Sequence, residues 1–273
     1  MRLDELTFVA FDTETTGLWA PSHRLVEIAG VKFRLGDDQV TTFQTLIDPR
    51  SAIPAEVISI HGITDEMVAG APSAKTALMS FFEFCGPEAV LMAHNAPFDI
   101  AFVACELDRG DDVLPDNLIL DTVDLYRRSY PQLPSYSLLS LVQKFDIEQT
   151  QAHRALADAG CVQRLFTRLM DDLGRTSELD ELVRKCGQYH FTDGRLREAE
   201  LPEQFADISL ACREQLTLEI VYSSSGRPAE TRRIRPLRVF EQRFAIYIRA
   251  YCEKAQAERT FRLDRLLTFK LVR

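Results

Sequence analysis

The chain has 273 residues, 46% of them hydrophobic and 27% charged, proportions of a folded globular protein that exclude a disordered or low-complexity chain. No window approaches the roughly 18 uninterrupted apolar residues of a membrane span, and MRLDELTFVAF at the N-terminus lacks a basic region followed by a long apolar one. No membrane partner and a cytoplasmic location are therefore expected. The net charge of −9 hides an uneven division, because residues 211–273 hold 14 Lys and Arg against 7 Asp and Glu, and a basic tail on an acidic body suggests a polyanion as the tail's partner.

Taken in chain order, LTFVAFDTE, RLVEIAGVKFRL and QVTTFQTLID read as strands, with Gly36, Asp37 and Asp38 turning between the last two, so an antiparallel meander is expected. PSAKTALMSFFEFCG has helical spacing between Pro72 and Gly86. AVLMA follows as a short buried strand, then a helix over about 97–107, the strand NLILDT, helices over VDLYRRSY and SLLSLVQKF, and a last helix over about 154–170. Strands followed by alternating helices and strands predict an α/β domain, a mixed sheet covered by helices, over residues 1–172. Residues 173–210 are polar and irregular and read as a partly helical connector. From 211 to 273 the short strands TLEIVY, RRIRPLRVF, RFAIYIRAY and ERTFRLDRLLTFKLV predict a small β-barrel or sandwich. The six cysteines include no CxxC pair, so reduced core thiols are expected rather than a zinc site or a disulfide framework.

The chemistry is concentrated in three stretches. In FDTETTGL, strand alternation projects Asp12 and Glu14 from the same face, and two like charges so close on a buried strand need a cation between them. AHNAPFDIAFV runs from strand through turn into a helix carrying Asp99. AHRALADAG carries His153 and Asp158, whose five-residue spacing puts them about 140° apart on an ideal helix, so His153 belongs on the loop before the helix and Asp158 one turn in. Each piece has an ordinary structural reading alone, as a helix cap or a surface histidine. Four carboxylates and a histidine in this order are the equipment for two-metal hydrolysis of a phosphodiester, with Mg²⁺ or Mn²⁺ as the hard cations that such oxygens favour.

DTETTGL, HNAPFD and HRALADA resemble the three motifs of the DEDDh, or DnaQ-like, 3′-to-5′ exonucleases over residues 5–170. The resemblance implies a ribonuclease H-like fold, Asp12, Glu14, Asp99 and Asp158 as ligands of two divalent metal ions, Mg²⁺ or Mn²⁺, and His153 as general base. HGIT, residues 61–64, falls where that family lines the site for the terminal nucleotide. Thr15, Gly17 and Leu18 follow the metal ligands closely enough to touch substrate, and Phe98 beside Asp99 suits stacking on a base. Leu18, Phe98 and His61 divide evenly between core and substrate contact, and Asn95 between capping the turn and binding substrate.

In RFAIYIRAY one face carries Arg243, Ala245, Tyr247, Arg249 and Tyr251, mixing cations with aromatic rings, while Phe244, Ile246, Ile248 and Ala250 face a core. Arg232, Arg233, Arg235, Arg238, Arg259, Arg262 and Arg265 add charge, some of it open to pairing with Glu219, Glu230 or Asp264. LEIVY, RRIRPLRV, IYIRAYC and ERTFRLDRL resemble a WYL domain, a small SH3-like β-barrel associated with nucleic-acid or nucleotide ligands. Here the naming tripeptide reads Ile246, Tyr247, Ile248 and lacks the tryptophan. The resemblance implies Tyr222, Tyr247, Arg262 and Arg265 as ligand contacts. The expected function is a 3′-to-5′ exonuclease acting on single-stranded nucleic acid, DNA ahead of RNA, with DNA repair as one setting. The alternatives are an RNA-trimming exoribonuclease and a ligand-responsive regulator without catalysis. Oligomeric state is not legible.

Overall fold

The computed structural model describes residues 1–108, 113–148, 153–173, 178–223, 228–242 and 245–272. They divide into two compact units, Met1–Gly194 and Arg195–Arg273. Among the described residues no helix is long and apolar enough to cross a membrane.

The first unit opens with β1 (Phe8–Thr15), β2 (Leu25–Phe33) and β3 (Thr41–Leu46), paired antiparallel as the alternating sequence predicts. Two short helices follow, α1 (Ala55–His61) and α2 (Asp65–Val68), which the sequence reading did not anticipate because so few turns show no helical period. α3 (Ala74–Cys85) starts where the Ser73 hydroxyl accepts from the Thr76 amide and stops at Gly86, whose φ of 78° suits a residue without Cβ. Then come β4 (Val90–Ala93), α4 (Ala96–Asp108), β5 (Ile119–Asp121), α5 (Thr122–Ser129), α6 (Leu138–Lys144) and α7 (Ala155–Leu173). α8 (Leu179–Arg184) and β6 (Gln188–Tyr189) complete the unit.

The sheet order is β3-β2-β1-β4-β5-β6, parallel at β1-β4 and β4-β5 and antiparallel elsewhere. This is the mixed sheet expected, with helices packed on both faces. Phe8, Phe33 and Phe166 meet on the α7 side with ring centroids 5.1 to 6.1 Å apart. Phe11 meets Phe81 of α3 on the other. Alternation along β1 therefore sends Phe8, Ala10, Asp12 and Glu14 toward α7, and Phe11 and Thr13 toward α3 and α4. The stretch read as a connector is divided between the units. Its Phe191 is fully buried against Phe11 and Phe82, and Gly194 lies so close to α4 that a Cβ there would stand 2.4 Å from the Ile100 carbonyl oxygen. Cys85, Cys105, Cys161, Cys186 and Cys252 are buried, as expected of core thiols.

The second unit holds β7 (Arg197–Glu198), α9 (Ala206–Glu214), β8 (Leu218–Tyr222), β9 (Glu230–Gln242), β10 (Ala245–Cys252), β11 (Ala257–Arg262) and β12 (Leu266–Leu271). The strand order is β11-β10-β9-β8-β12 with β7 also on β9, and among the described residues no pairing closes the sheet into a barrel. β9 serves both neighbours. Its first half pairs β8 and its second half β10, around buried Pro236, opposite which the β10 register shifts. Ile248, Ala250 and Cys252 face a core shared with Ile208 and Ala211 of α9, while Arg249 between them is exposed. Arg243 and Phe244 lie outside the described residues.

Candidate active site

The C-terminal end of β1 meets the N-terminal end of α7. There Asp12, Glu14 and Asp158 bring carboxylate oxygens within 4.8 Å of one another. Asp99, at the start of α4, is buried and stands beside this trio, its carboxylate held by the Thr13 hydroxyl at 2.6 Å. Thr13 thus reaches from the opposite face of the same strand to fix the fourth acid. His153 lies two residues before α7, exposed, with φ of 57°, and its amide donates to Asp158 Oδ2 at 3.1 Å.

The electrostatics follow from crowding. Burial, and then the charges of Asp99, Glu14 and Asp158, push Asp12 well above the usual carboxylate range. Glu14 is pushed up to about 8 by burial and by Asp158, Glu27 and Asp99, with Arg154 acting the other way. Both side chains keep some contact with water, yet the neighbouring negative charges act in the same direction as burial. Converging hard-oxygen donors that hold protons because they are buried together and repel one another fit a divalent cation.

The residues expected to contact substrate surround this cluster in different ways. The Thr15 hydroxyl donates to the Gly17 carbonyl at 2.6 Å, shaping the turn. Gly17 has no Cβ because the His23 ring occupies the space, 2.4 Å from where one would sit. Leu18 projects from the turn and is 85% exposed. His61 is 3% exposed, its Nδ1 accepts from the Ile63 amide, and among the described residues its Nε2 meets no hydrogen-bond partner. Burial lowers its pKa, and contact with the Thr15 backbone opposes that. Asn95 turns the chain at φ 67°, its amide donating to Asp121 and its carbonyl accepting from the Phe98 amide. The Phe98 ring lies 5.0 Å from Phe102.

One charged residue at the site escaped the sequence reading. Glu27, in the middle of LVEIAGVKF, is directly opposite Glu14 in the β1–β2 register and is completely buried. Its carboxylate accepts from Gln44 Nε2, from Arg154 Nε and Nη2, and from the Ala155 amide. The available signal was a lone acid in an apolar strand run, since burial of a charge demands a partner. An open cavity of about 560 Å³ over the outer side of β2, β3 and α7 reaches Arg154 and Gln44 but none of the clustered carboxylates.

Comparison with known proteins agrees with this geometry. The RNase_T model, described as exonuclease, matches residues 9–166. The chain belongs to the RNase_T exonuclease family. Its first unit is accordingly an exonuclease domain, and the WYL domain model matches residues 203–271. PolC-type DNA polymerase III of Halalkalibacterium halodurans is 37% identical over 186 residues, and that of Bacillus subtilis 34% over 221. The matches cover 67% and 77% of this chain but only 13% and 15% of those polymerases. Among solved structures, Exonuclease X in complex with 5′ overhanging duplex DNA is 26% identical with a TM-score of 0.53, over 66% of this chain and 98% of that one. Exonuclease I, at 19% identity and a TM-score of 0.53, covers 90% of this chain and 55% of its own, and shows the fold alone.

In the WYL unit of this RNase_T protein, Tyr247 lies opposite Arg262 across β10–β11 and stacks on Phe240 at 5.7 Å. The Arg262 amide donates to the Tyr222 hydroxyl, while the Arg262 side chain pairs with Asp264 at 2.8 Å. Arg265 contributes its carbonyl to the Ser223 amide. Tyr222, Tyr247 and Arg262 are thus brought together. Several cations are neutralised locally, Arg232 by Glu230, Arg233 by Glu219 and Arg249 by Glu258. Arg235 lies over the Tyr251 ring at 5.0 Å.

Proposed function

We propose that this protein is a divalent-metal-dependent 3′-to-5′ exonuclease that removes nucleotides from the 3′ ends of single-stranded DNA, and that its WYL unit holds nucleic acid or a nucleotide ligand. The observation that carries the reading is the convergence of Asp12, Glu14 and Asp158 within 4.8 Å, with Asp99 alongside. Divalent ions bound by these four carboxylates would supply Lewis-acid activation of the phosphodiester and neutralise charge developing on it, two-metal chemistry with Mg²⁺ or Mn²⁺ being the form that suits hard oxygen donors.

The chain's own groups have separate tasks. Exposed His153, tethered to Asp158 through its amide, accepts the proton of the attacking water. Leu18 packs beneath the terminal base, and His61 Nε2, buried and without a partner among the described residues, meets a polar atom of the terminal nucleotide. Thr15 and Gly17 hold the turn that presents Leu18, while Asn95 and Phe98 border the site beside Asp99. DNA is favoured over RNA because PolC-type DNA polymerase III, 37% identical, and Exonuclease X in complex with duplex DNA, 26% identical, are among the relatives. An end-processing role such as DNA repair is consistent with that choice, and a cytoplasmic location is part of the proposal.

In the WYL unit, Tyr247, Arg249 and Tyr251 of β10 share a face with Arg238 and Arg235 of β9 and Arg262 of β11 by register. Cations interleaved with rings attract phosphates and stack bases. The SH3-like barrel remains the fold implied by the WYL resemblance. Removing residues 195–273 is expected to weaken binding to long single strands at least tenfold more than binding to dinucleotides, measured by anisotropy at two salt concentrations. An equal effect on both lengths would remove the WYL unit from substrate binding. DNA and RNA of one sequence, digested in competition, decide the sugar preference.

A further inference from the structure

Glu27 and Glu14 face each other across an antiparallel pair, on the same side of the sheet. Like charges in that relation are destabilising unless something positive intervenes. For Glu14 the remedy is a bound cation, but Glu27 is provided for by the protein. It accepts from Gln44 Nε2 at 2.8 Å, from Arg154 Nε at 3.2 Å and Nη2 at 2.7 Å, and from the Ala155 amide at 3.0 Å. Four donors use essentially all the acceptor positions of one carboxylate. That leaves Glu27 no capacity to ligate a metal as well.

Stability alone is a poor reason for such an arrangement, because well-packed apolar residues often replace a buried ion pair at no loss. Its geometric consequence is more specific. The Arg154 side chain and the Ala155 amide are both bound to Glu27, and the His153 amide is bound to Asp158. Three consecutive residues are thereby anchored at the entrance to α7, with His153 held at φ 57°, a conformation unfavourable for a non-glycine residue unless its surroundings enforce it. The His153 side chain, meanwhile, stays exposed.

We propose that Glu27 is a positioning residue, which acts through Arg154 and the first amide of α7 to fix where His153 presents its imidazole. The inference rests on the reading of His153 as general base. It assigns Arg154 a task inside the protein rather than on the substrate phosphate, and it explains an acid in the centre of an apolar strand.

The test is a pair of double-mutant cycles. Glu27→Gln and Arg154→Lys are each made with His153 intact and with His153→Ala, and single-turnover cleavage of a 5′-labelled single strand is followed at saturating Mn²⁺. Amide hydrogen exchange at residues 153–155 is measured on the same proteins. With His153 present, each variant should lose about 10- to 100-fold in rate with KM changed less than about twofold, and in the His153→Ala background less than about threefold. Exchange at residues 153–155 should quicken at least about tenfold while β1 keeps its protection. Losses of equal size in both backgrounds, a full rate in both variants, or unchanged exchange at these amides would overturn the proposal. Arg154 is partly exposed, so Arg154→Lys decides by the same criteria if Glu27→Gln does not fold. A His153→Ala protein as fast as the wild type would instead remove the general-base reading, and this inference with it.

Discussion

At pH 7 the metal-free site holds protons that a divalent cation must displace. Glu14 is raised to about 8 by burial and the charges around it, so at pH 7 it is about 90% protonated, and Asp12 is raised well above its ordinary range. A cation binds the ionised carboxylates, so binding at pH 7 should release between about one and two protons. If Glu14 alone is displaced, affinity rises about tenfold per pH unit well below 8 and less steeply near it, or about 50-fold from pH 6 to pH 8, equivalent to about 2.3 kcal/mol. Asp12 makes the dependence steeper. The assay is titration calorimetry of Mn²⁺ into EDTA-stripped protein at pH 6, 7 and 8, in paired buffers of different ionisation enthalpy, with Glu14→Gln releasing about one proton fewer. An affinity that changes less than about threefold over this range, with heats independent of buffer, would refute the claim that burial and mutual repulsion hold protons on these acids at pH 7.

The same shift predicts stability. Glu14 rises on folding from its ordinary 4.5 to about 8, so its contribution is fully present below about pH 4.5 and is lost as pH climbs through 8. Metal-free protein should therefore melt lower at pH 8.5 than at pH 6 by more than Glu14→Gln does, and equal slopes for the two proteins would count against the shift. Thr13→Val removes the hydroxyl that donates to buried Asp99 at 2.6 Å while keeping the shape, and should cost about 2 kcal/mol in a urea titration. Its metal affinity should fall as well, because Asp99 is released. An unchanged urea midpoint would mean that the Thr13 contact does not hold Asp99.

Much of this architecture was legible in the sequence because its signals are local. The period-two pattern of LTFVAFDTE already places Asp12 and Glu14 on one face, and the five-residue spacing of His153 and Asp158 already puts the histidine on the loop before α7, where it lies. What escaped depends on contacts far apart in the chain. Glu27 is one acid in an apolar strand and its partner Arg154 stands 127 residues later, so no periodicity links them. Phe191 sits in a polar, irregular stretch, and only packing against Phe11 and Phe82 reveals it as core. β6 has two residues, too few to alternate, although it extends the sheet. The reason for Gly17 was also tertiary, since the His23 ring fills the space a Cβ would need. In the second unit, alternation identified the buried side of β10 correctly, but not that the cations on its other side are largely paired within the unit, as Arg249 is with Glu258.

The most direct test of the central claim is digestion of a 5′-labelled single strand by wild-type protein and by Asp158→Ala, with Mg²⁺, Mn²⁺ or EDTA. The clustered carboxylates predict cleavage with either metal and none with EDTA or in the variant, and the proposed polarity predicts a ladder shortening from the 3′ end. Shortening that persists in EDTA, or an Asp158→Ala protein as active as the wild type, would contradict the assignment of Asp12, Glu14 and Asp158 as the catalytic centre.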